Sequence, residues 1–257
     1  VNEQSETYPS LRGAEVAATI TSTNHVPIVA EHAMYLNLDG QPMGAGHAGL
    51  GATAPSTSWF FAEGATGSFF KEYVLLANPQ STAAEATVRY LLPDGTAFEK
   101  TYDLKPTSRR TIDVAGEDTR LASTSVSAIV TATQPIVAER VMWWPGPSLS
   151  PTWYEAHVSL GATETGAAWA IAGGASGSTS KDQTYALVAN QESRTGQVRH
   201  AGADRRRVVA LQRAVRPVLG RRQRGARDEG SLEGRRWFHR GKESRLVRDE
   251  AGPQRRR

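Results

Sequence analysis

The chain has 257 residues, a formal net charge of +4 and no cysteine, so disulfide frameworks, thiolate zinc sites and cysteine nucleophiles are excluded together. The charge is unevenly placed. Residues 1–199 carry 12 basic against 19 acidic side chains, a net of −7, while residues 200–257 carry 18 against 7, a net of +11. The basic character thus belongs to the end of the chain. No run of 18 apolar residues occurs, so no membrane-spanning helix is expected.

In chain order, residues 14–23 and 26–36 are short runs rich in β-branched side chains and read as strands. Asn37-Leu38-Asp39-Gly40 reads as a turn, and the small-residue stretch from Gly44 to Ser58 as a loop between modules. Strand patterns follow at Trp59–Ala62, Glu72–Ala77, Ala84–Leu92, Thr96–Leu104, Arg109–Val114, Ser125–Thr133, Pro135–Trp144 and Trp153–Leu160. Eight strands at this spacing without a helical period favour an antiparallel sandwich. Pro93-Asp94-Gly95 signals a hairpin, and Pro106 and Pro135 are expected at strand starts, where a missing N–H breaks no ladder. Alternation puts Ile136, Ala138, Arg140, Met142 and Trp144 on one face of their strand and Val137, Glu139, Val141 and Trp143 on the other.

The chain also repeats itself. Val26-Pro27-Ile28-Val29-Ala30-Glu31-His32-Ala33-Met34-Tyr35 returns 108 positions later as Gln134-Pro135-Ile136-Val137-Ala138-Glu139-Arg140-Val141-Met142-Trp143. Leu50-Gly51-Ala52-Thr53 matches Leu160-Gly161-Ala162-Thr163, Trp59 matches Trp169, and Tyr73 with Ala77-Asn78 matches Tyr185 with Ala189-Asn190. A shift drifting from 108 to 112 predicts a module of about 110 residues with small insertions. The expected organisation is the C-terminal half of a module over 1–58, a complete module over 59–168, the start of a third over 169–199 and an Arg-rich tail over 200–257. The chain begins with Val1, in the middle of a module, and reads as a fragment of a longer protein.

From His200 the repeat stops. The last 58 residues hold 17 Arg with almost no alternation. Such a segment buries too little apolar surface to offset roughly 1–2 kcal/mol of backbone entropy per residue, so disorder is expected. Two origins stand: a genuine basic tail, or a reading-frame slip, since Arg236–Glu243 read one base across can encode a run ending Ile-Val-Glu-Arg, close to residues 136–140. Binding of nucleic acid is not expected, because Trp237 and Phe238 are nearly the only aromatics there and no recognition fold is evident.

Trp59-Phe60-Phe61-Ala62-Glu63-Gly64, Tyr73-Val74-Leu75-Leu76-Ala77-Asn78-Pro79, Ser108–Val114 and Pro135-Ile136-Val137-Ala138-Glu139-Arg140 resemble a family of uncharacterised tandem β-sandwich modules in secreted and cell-envelope proteins of actinobacteria and other bacteria. The resemblance covers residues 1–199. It implies an all-β, immunoglobulin-like array in an extracellular or cell-envelope setting, and it brings no catalytic residues. In the third copy Ala172-Gly173-Gly174 replaces Ala-Glu-Gly and Asn190-Gln191 replaces Asn-Pro.

Few constellations suggest chemistry. Glu31, Glu63 and Glu139 invite comparison with a glycosidase carboxylate pair, but a Glu recurring at one strand position is expected to be structural, with Arg109 or Arg110 as partner of Glu139. Arg109 and Glu139 are the expected ion pair. His25, His32, His47, His157, His200 and His239 show no metal-ligand spacing, so no metal or cofactor is expected. Gly64–Ser68 and Gly174–Ser178 lack the Lys and the helix of a phosphate loop, and neither Ser68 nor Ser176 lies in a nucleophile elbow. Trp143, Trp144, Trp153 and Tyr154 flank a Pro-Gly-Pro turn and form the candidate ligand platform, for sugar rings of a cell-wall glycan. The expected role is a non-catalytic spacer or adhesion module whose partners are neighbouring modules of the same polypeptide. The alternative is a carbohydrate-binding accessory module of a secreted hydrolase.

Overall fold

The computed structural model describes residues 8–11, 13–38, 41–145, 155–173 and 185–190. Two early strands, β1 (Glu31–Leu38) and β2 (Gln41–Leu50), form a hairpin. The rest of the sheet structure comprises β3 (Ser56–Phe61), β4 (Lys71–Asn78), β5 (Ala84–Leu91), β6 (Ala97–Leu104), β7 (Ser108–Asp113), β8 (Ser127–Trp144) and β9 (Glu155–Leu160), with a single helical turn α1 (Val114–Glu117) after β7. All pairings are antiparallel, and the chain is all-β. Among the described residues no helix is long and apolar enough to cross a membrane.

One strand organises the molecule. The first part of β8 lies between β5 and β3, giving a layer ordered β6-β5-β8-β3. Its second part lies between β4 and β9, giving a layer ordered β7-β4-β8-β9. The two runs expected at 125–133 and 135–144 are therefore one strand of 18 residues, and Pro135 lies inside it rather than at a start. The ring is tolerated because the ladder with β3 slips there, from Thr131 opposite Ser58 to Ile136 opposite Ser56. That irregularity is the corner at which a strand passes from one layer to the other. Two contacts pin it: Gln80 Nε2 donates to the Pro135 carbonyl at 3.2 Å, and the Glu85 N–H donates to Thr133 Oγ1 at 2.9 Å.

The alternation along β8 now has a direction. Ile136, Ala138, Arg140 and Met142 are buried and face the opposite layer, while Val137, Glu139 and Trp143 are half-buried on the outside. Trp59, Val74, Leu76, Val88 and Tyr90 meet Ile136 in the core, each such side chain contributing about 1.5–3 kcal/mol on burial. The Trp59 indole donates to the Ile136 carbonyl at 3.0 Å, so the ring is buried without an orphaned N–H. At the expected hairpin between β5 and β6, Gly95 takes φ 87° and its N–H donates to the Leu92 carbonyl at 3.0 Å.

The beginning of the chain differs from expectation. Residues 14–30 form no strand, and the expected loop from Gly44 contains most of β2. Its small residues are compatible with a strand because neighbours fill their space. A Cβ on Gly46 would lie 2.8 Å from Cδ1 of Tyr35, and one on Gly49 would lie 2.5 Å from Cγ1 of Val158, so a neighbouring side chain covers each glycine. The β1–β2 hairpin is thereby laid against β9.

The two hairpins share a register. Glu31 faces Leu50 as Glu139 faces Leu160, and Met34 faces His47 as Met142 faces His157. Even the closing bond recurs: the Gly51 N–H donates to the Ala30 carbonyl at 2.9 Å, and that of Gly161 to Ala138 at 3.3 Å. The third copy behaves otherwise. Residues 169–173 and 185–190 are not in strand conformation. Residues 174–184 and 191–199 of the expected third module, and the tail 200–257, lie outside the described residues.

Candidate functional site

At the end of the module where β8 meets β9, four polar side chains converge on the inner face. Arg140 projects inward from β8, and Glu72 is the first inward residue of β4, beside it across the Val74–Arg140 and Glu72–Met142 pairs. His157 comes from β9 opposite Met142, and Glu63 from the segment that leaves β3. Arg140 is 3 % exposed and Glu72 1 %. The guanidinium donates from Nη1 to the Glu63 carbonyl and from Nη2 to Glu63 Oε2 at 2.9 Å. His157 Nε2 lies 2.5 Å from Arg140 Nη2 and 3.3 Å from Glu63 Oε2. As an N–H it donates to Glu63; bare, it accepts from Arg140.

The two carboxyls are driven apart. The His157 hydrogen bond, and the Arg140 guanidinium after it, hold Glu63 down at about 2 against its partial burial. Burial pushes Glu72 up to about 8, although the Arg140 charge and the Ala65 N–H favour its ionised form. Glu72 is thus a neutral acid at ordinary pH. Gly64 makes room for it: a Cβ there would meet the Val126 carbonyl oxygen and lie 2.6 and 2.7 Å from the two Glu72 oxygens. Glu72 Oε2 and Arg140 Nε are buried without a hydrogen-bond partner.

An ionised carboxylate beside a neutral one resembles the division of labour in an acid–base pair. Glu72, 1% exposed, is not at the surface as such a pair requires of the group that meets a substrate. Arg140 is likewise occupied by Glu63. The cluster joins β8, β9, β4 and the segment after β3. At its rim Trp144 meets His157 with ring centroids 5.8 Å apart and Phe70 at 5.9 Å.

No protein-family model matches the chain, and no curated protein matches it. Among solved structures it is similar to protein 1070 of Thermotoga maritima, at 15% identity over 43% of this chain and 96% of the other, with a TM-score of 0.39. It is similar also to the Anabaena sensory rhodopsin transducer, at 15% identity over 35% of this chain and 99% of the other, with a TM-score of 0.31.

The expected ion pair is not the one formed. Arg109 Nη1 bonds Glu15 Oε2 at 2.5 Å. Glu139 lies on the outer face with His32 Nε2 4.0 Å away; burial raises its pKa, and the His32 and Arg109 charges oppose that shift. Arg109 is diagonal to Glu139 across β4, Ala77 standing opposite Arg109 and Leu75 opposite Glu139. Glu31 opens β1 and faces Leu50 of β2. Trp143 and Trp144 project from opposite faces of β8, so the two do not form one platform; Trp153 and Tyr154 lie outside the described residues. Gly64–Ser68 is a connector in which Thr66 Oγ1 donates to the Leu121 carbonyl at 2.5 Å. Among the described residues no group of His, Asp and Glu is arranged to hold a metal.

Sequence reasoning missed Arg140, Glu72 and His157. A signal was present for the first. Arg140 becomes His32 in the earlier matching stretch and Glu63 becomes Gly173 in the later one, so neither side chain of the pair recurs at the matching position.

Proposed function

We propose that the chain is a non-catalytic structural segment, in which immunoglobulin-like β-sandwich modules succeed one another as a spacer or adhesion stalk of an extracellular or envelope protein. The observation that carries this reading is the shared register of β1–β2 and β8–β9, 108 to 110 residues apart. It supports one supersecondary unit used twice, and repeats of this kind lengthen a chain without new chemistry. The motif residues serve the module itself: Trp59 and Asn78 bond backbone carbonyls, and Glu63 bonds Arg140.

One observation favours the carbohydrate-binding alternative, namely Trp144 and Phe70 at the rim of a cluster whose Glu63 side chain is 40% exposed. A glycan array and a cell-wall pull-down with the full chain decide between them. The spacer reading expects no saturable binding. Saturable binding abolished by Trp144→Ala replaces it with the carbohydrate-binding one, and hydrolysis abolished by Glu63→Gln removes the non-catalytic reading.

A further inference from the structure

Two buried atoms of the cluster are left over once its bonds are assigned. Arg140 directs Nη1 and Nη2 to Glu63, while its Nε–H, also buried, meets no acceptor. Glu72 Oε2 is buried without a donor. One of these atoms is a donor and the other an acceptor, and the fold brings their side chains together. Both project inward on a diagonal between β4 and β8, Val74 standing opposite Arg140 and Met142 opposite Glu72. The Glu72 carboxyl lies against Gly64, 2.6 and 2.7 Å from the place of a Cβ, and the guanidinium bonds the carbonyl of the preceding residue, Glu63.

The two carboxyls differ in their access to water. The Glu63 side chain is 40% exposed, so water can take the place of Arg140 there. Glu72 is 1% exposed and has protein around it. While Glu72 keeps its proton it does not compete for the guanidinium, and Arg140 stays with Glu63. Once ionised, Glu72 is a buried anion with an unused oxygen, for which a charged donor is the strongest partner.

We infer that Arg140 is a two-position element, which turns from Glu63 to Glu72 when Glu72 loses its proton, its Nε–H then donating to Glu72 Oε2. The other groups that act on Glu72 are the Ala65 N–H, which favours the anion, and Glu63, which opposes it; Tyr90 of β5 senses the same carboxyl and is kept neutral by burial. His157 of β9 meets Glu63 instead. Burial holds Glu72 up to about 8, which sets the turn in mild alkali. The consequence is local. Glu63 passes to water, and the Arg140–Glu63–His157 chain that ties β9 to the segment after β3 opens. The device lies within the complete module and works alike in a spacer and in a glycan-binding module.

Nuclear magnetic resonance of the full-length chain tests this, with the Glu carboxyl carbons and the Arg140 Nε–H assigned through the backbone so that the parent protein carries the experiment. The Glu72 carboxyl is expected to titrate near 8, and the Glu63 carboxyl and Arg140 Nε–H signals to shift with the same midpoint. Glu72→Gln should lose both shifts. Amides of β9 should exchange faster in the parent than in Glu72→Gln above that midpoint and equally below it. Ionisation of Glu72 that leaves the Glu63 and Arg140 signals unmoved overturns the inference, as does a Glu72 that keeps its proton until the chain unfolds. Shifts that survive in Glu72→Gln place the trigger elsewhere and overturn it too.

Discussion

Arg140 reaches from the middle of β8 to Glu63, 77 residues earlier, and donates to its carboxylate at 2.9 Å. The two partners are unequal, the arginine side chain being 3% exposed and the glutamate 40%. Removing Glu63 strands a buried guanidinium, whereas removing Arg140 leaves a carboxylate that water reaches. Glu63→Ala is therefore expected to cost about 3 kcal/mol, in the range for an orphaned buried charge, and Arg140→Met about 1–2 kcal/mol, since an apolar chain of similar length fills the space. Urea unfolding of both variants checks the asymmetry; a larger loss for Arg140→Met contradicts it.

Glu72 and Glu63 give the stability opposite slopes in pH. Glu72, raised to about 8 in the folded state from an ordinary 4.5, holds a proton that the unfolded chain has released. Its contribution is complete below 4.5 and is lost as pH rises through about 8. Glu63, lowered to about 2, contributes above 4.5 and loses that contribution as pH falls towards 2. The melting temperature is expected to peak in weak acid and to decline towards mild alkali. Glu72→Gln, neutral at every pH, should flatten the alkaline side and melt higher than the parent there; an unchanged slope means that Glu72 is not the group responsible.

Gly64 is needed for closeness rather than for flexibility. A methyl group at this position meets both Glu72 oxygens and the Val126 carbonyl, and backbone cannot step aside as a side chain does. Gly64→Ala is expected to destabilise by about 1–3 kcal/mol. A Glu72→Ala background should recover only part of that loss, because the Val126 contact remains, and a double-mutant cycle measures the share. Full recovery would place the whole clash on the carboxylate.

The legible part of this fold was whatever depends on alternation and turn chemistry. The strands around Pro93-Asp94-Gly95 follow from their own residues, as does the inward row of Ile136, Ala138, Arg140 and Met142 once one face is buried. The illegible part depends on neighbours. Nothing local in Gly44–Leu50 says strand; Tyr35 and Val158 covering its glycines do. Nothing local in Thr133–Gln134–Pro135 says that a strand continues through it, because the corner is set by the layers on either side. The candidate site was half legible. Glu63 and Arg140 stood inside the motifs around Trp59 and Pro135, but their pairing spans two layers, and nothing in either motif names the other as its partner.

Arg109 offers a direct comparison with that buried pair. Its partner Glu15 has a side chain 67% exposed, and a solvated partner is screened by water and salt. Arg109→Ala is expected to cost about 0–1 kcal/mol and to lose that effect in high salt. A loss as large as that for Glu63→Ala would show that the outer carboxylate Glu139 depends on Arg109 after all.

Asn78 closes the module at the opposite end of β4 from Glu72. Its Nδ2 donates to the carbonyls of Thr82 at 2.8 Å and Lys105 at 3.1 Å, while its Oδ1 accepts from the Gln80 N–H at 3.0 Å. One amide thus ties the β4–β5 connection to the end of β6. Aspartate keeps the shape and the acceptor but turns the two donated bonds into repulsion between oxygens, while leucine keeps the volume and leaves the same carbonyls without a donor. Both are expected to lose about 2–3 kcal/mol, with Asn78→Asp regaining stability at low pH as its carboxyl takes up a proton and can donate again. Thermal melts of the two variants across acid pH test this, since Asn78→Leu has no group to protonate and should show no such recovery relative to the parent.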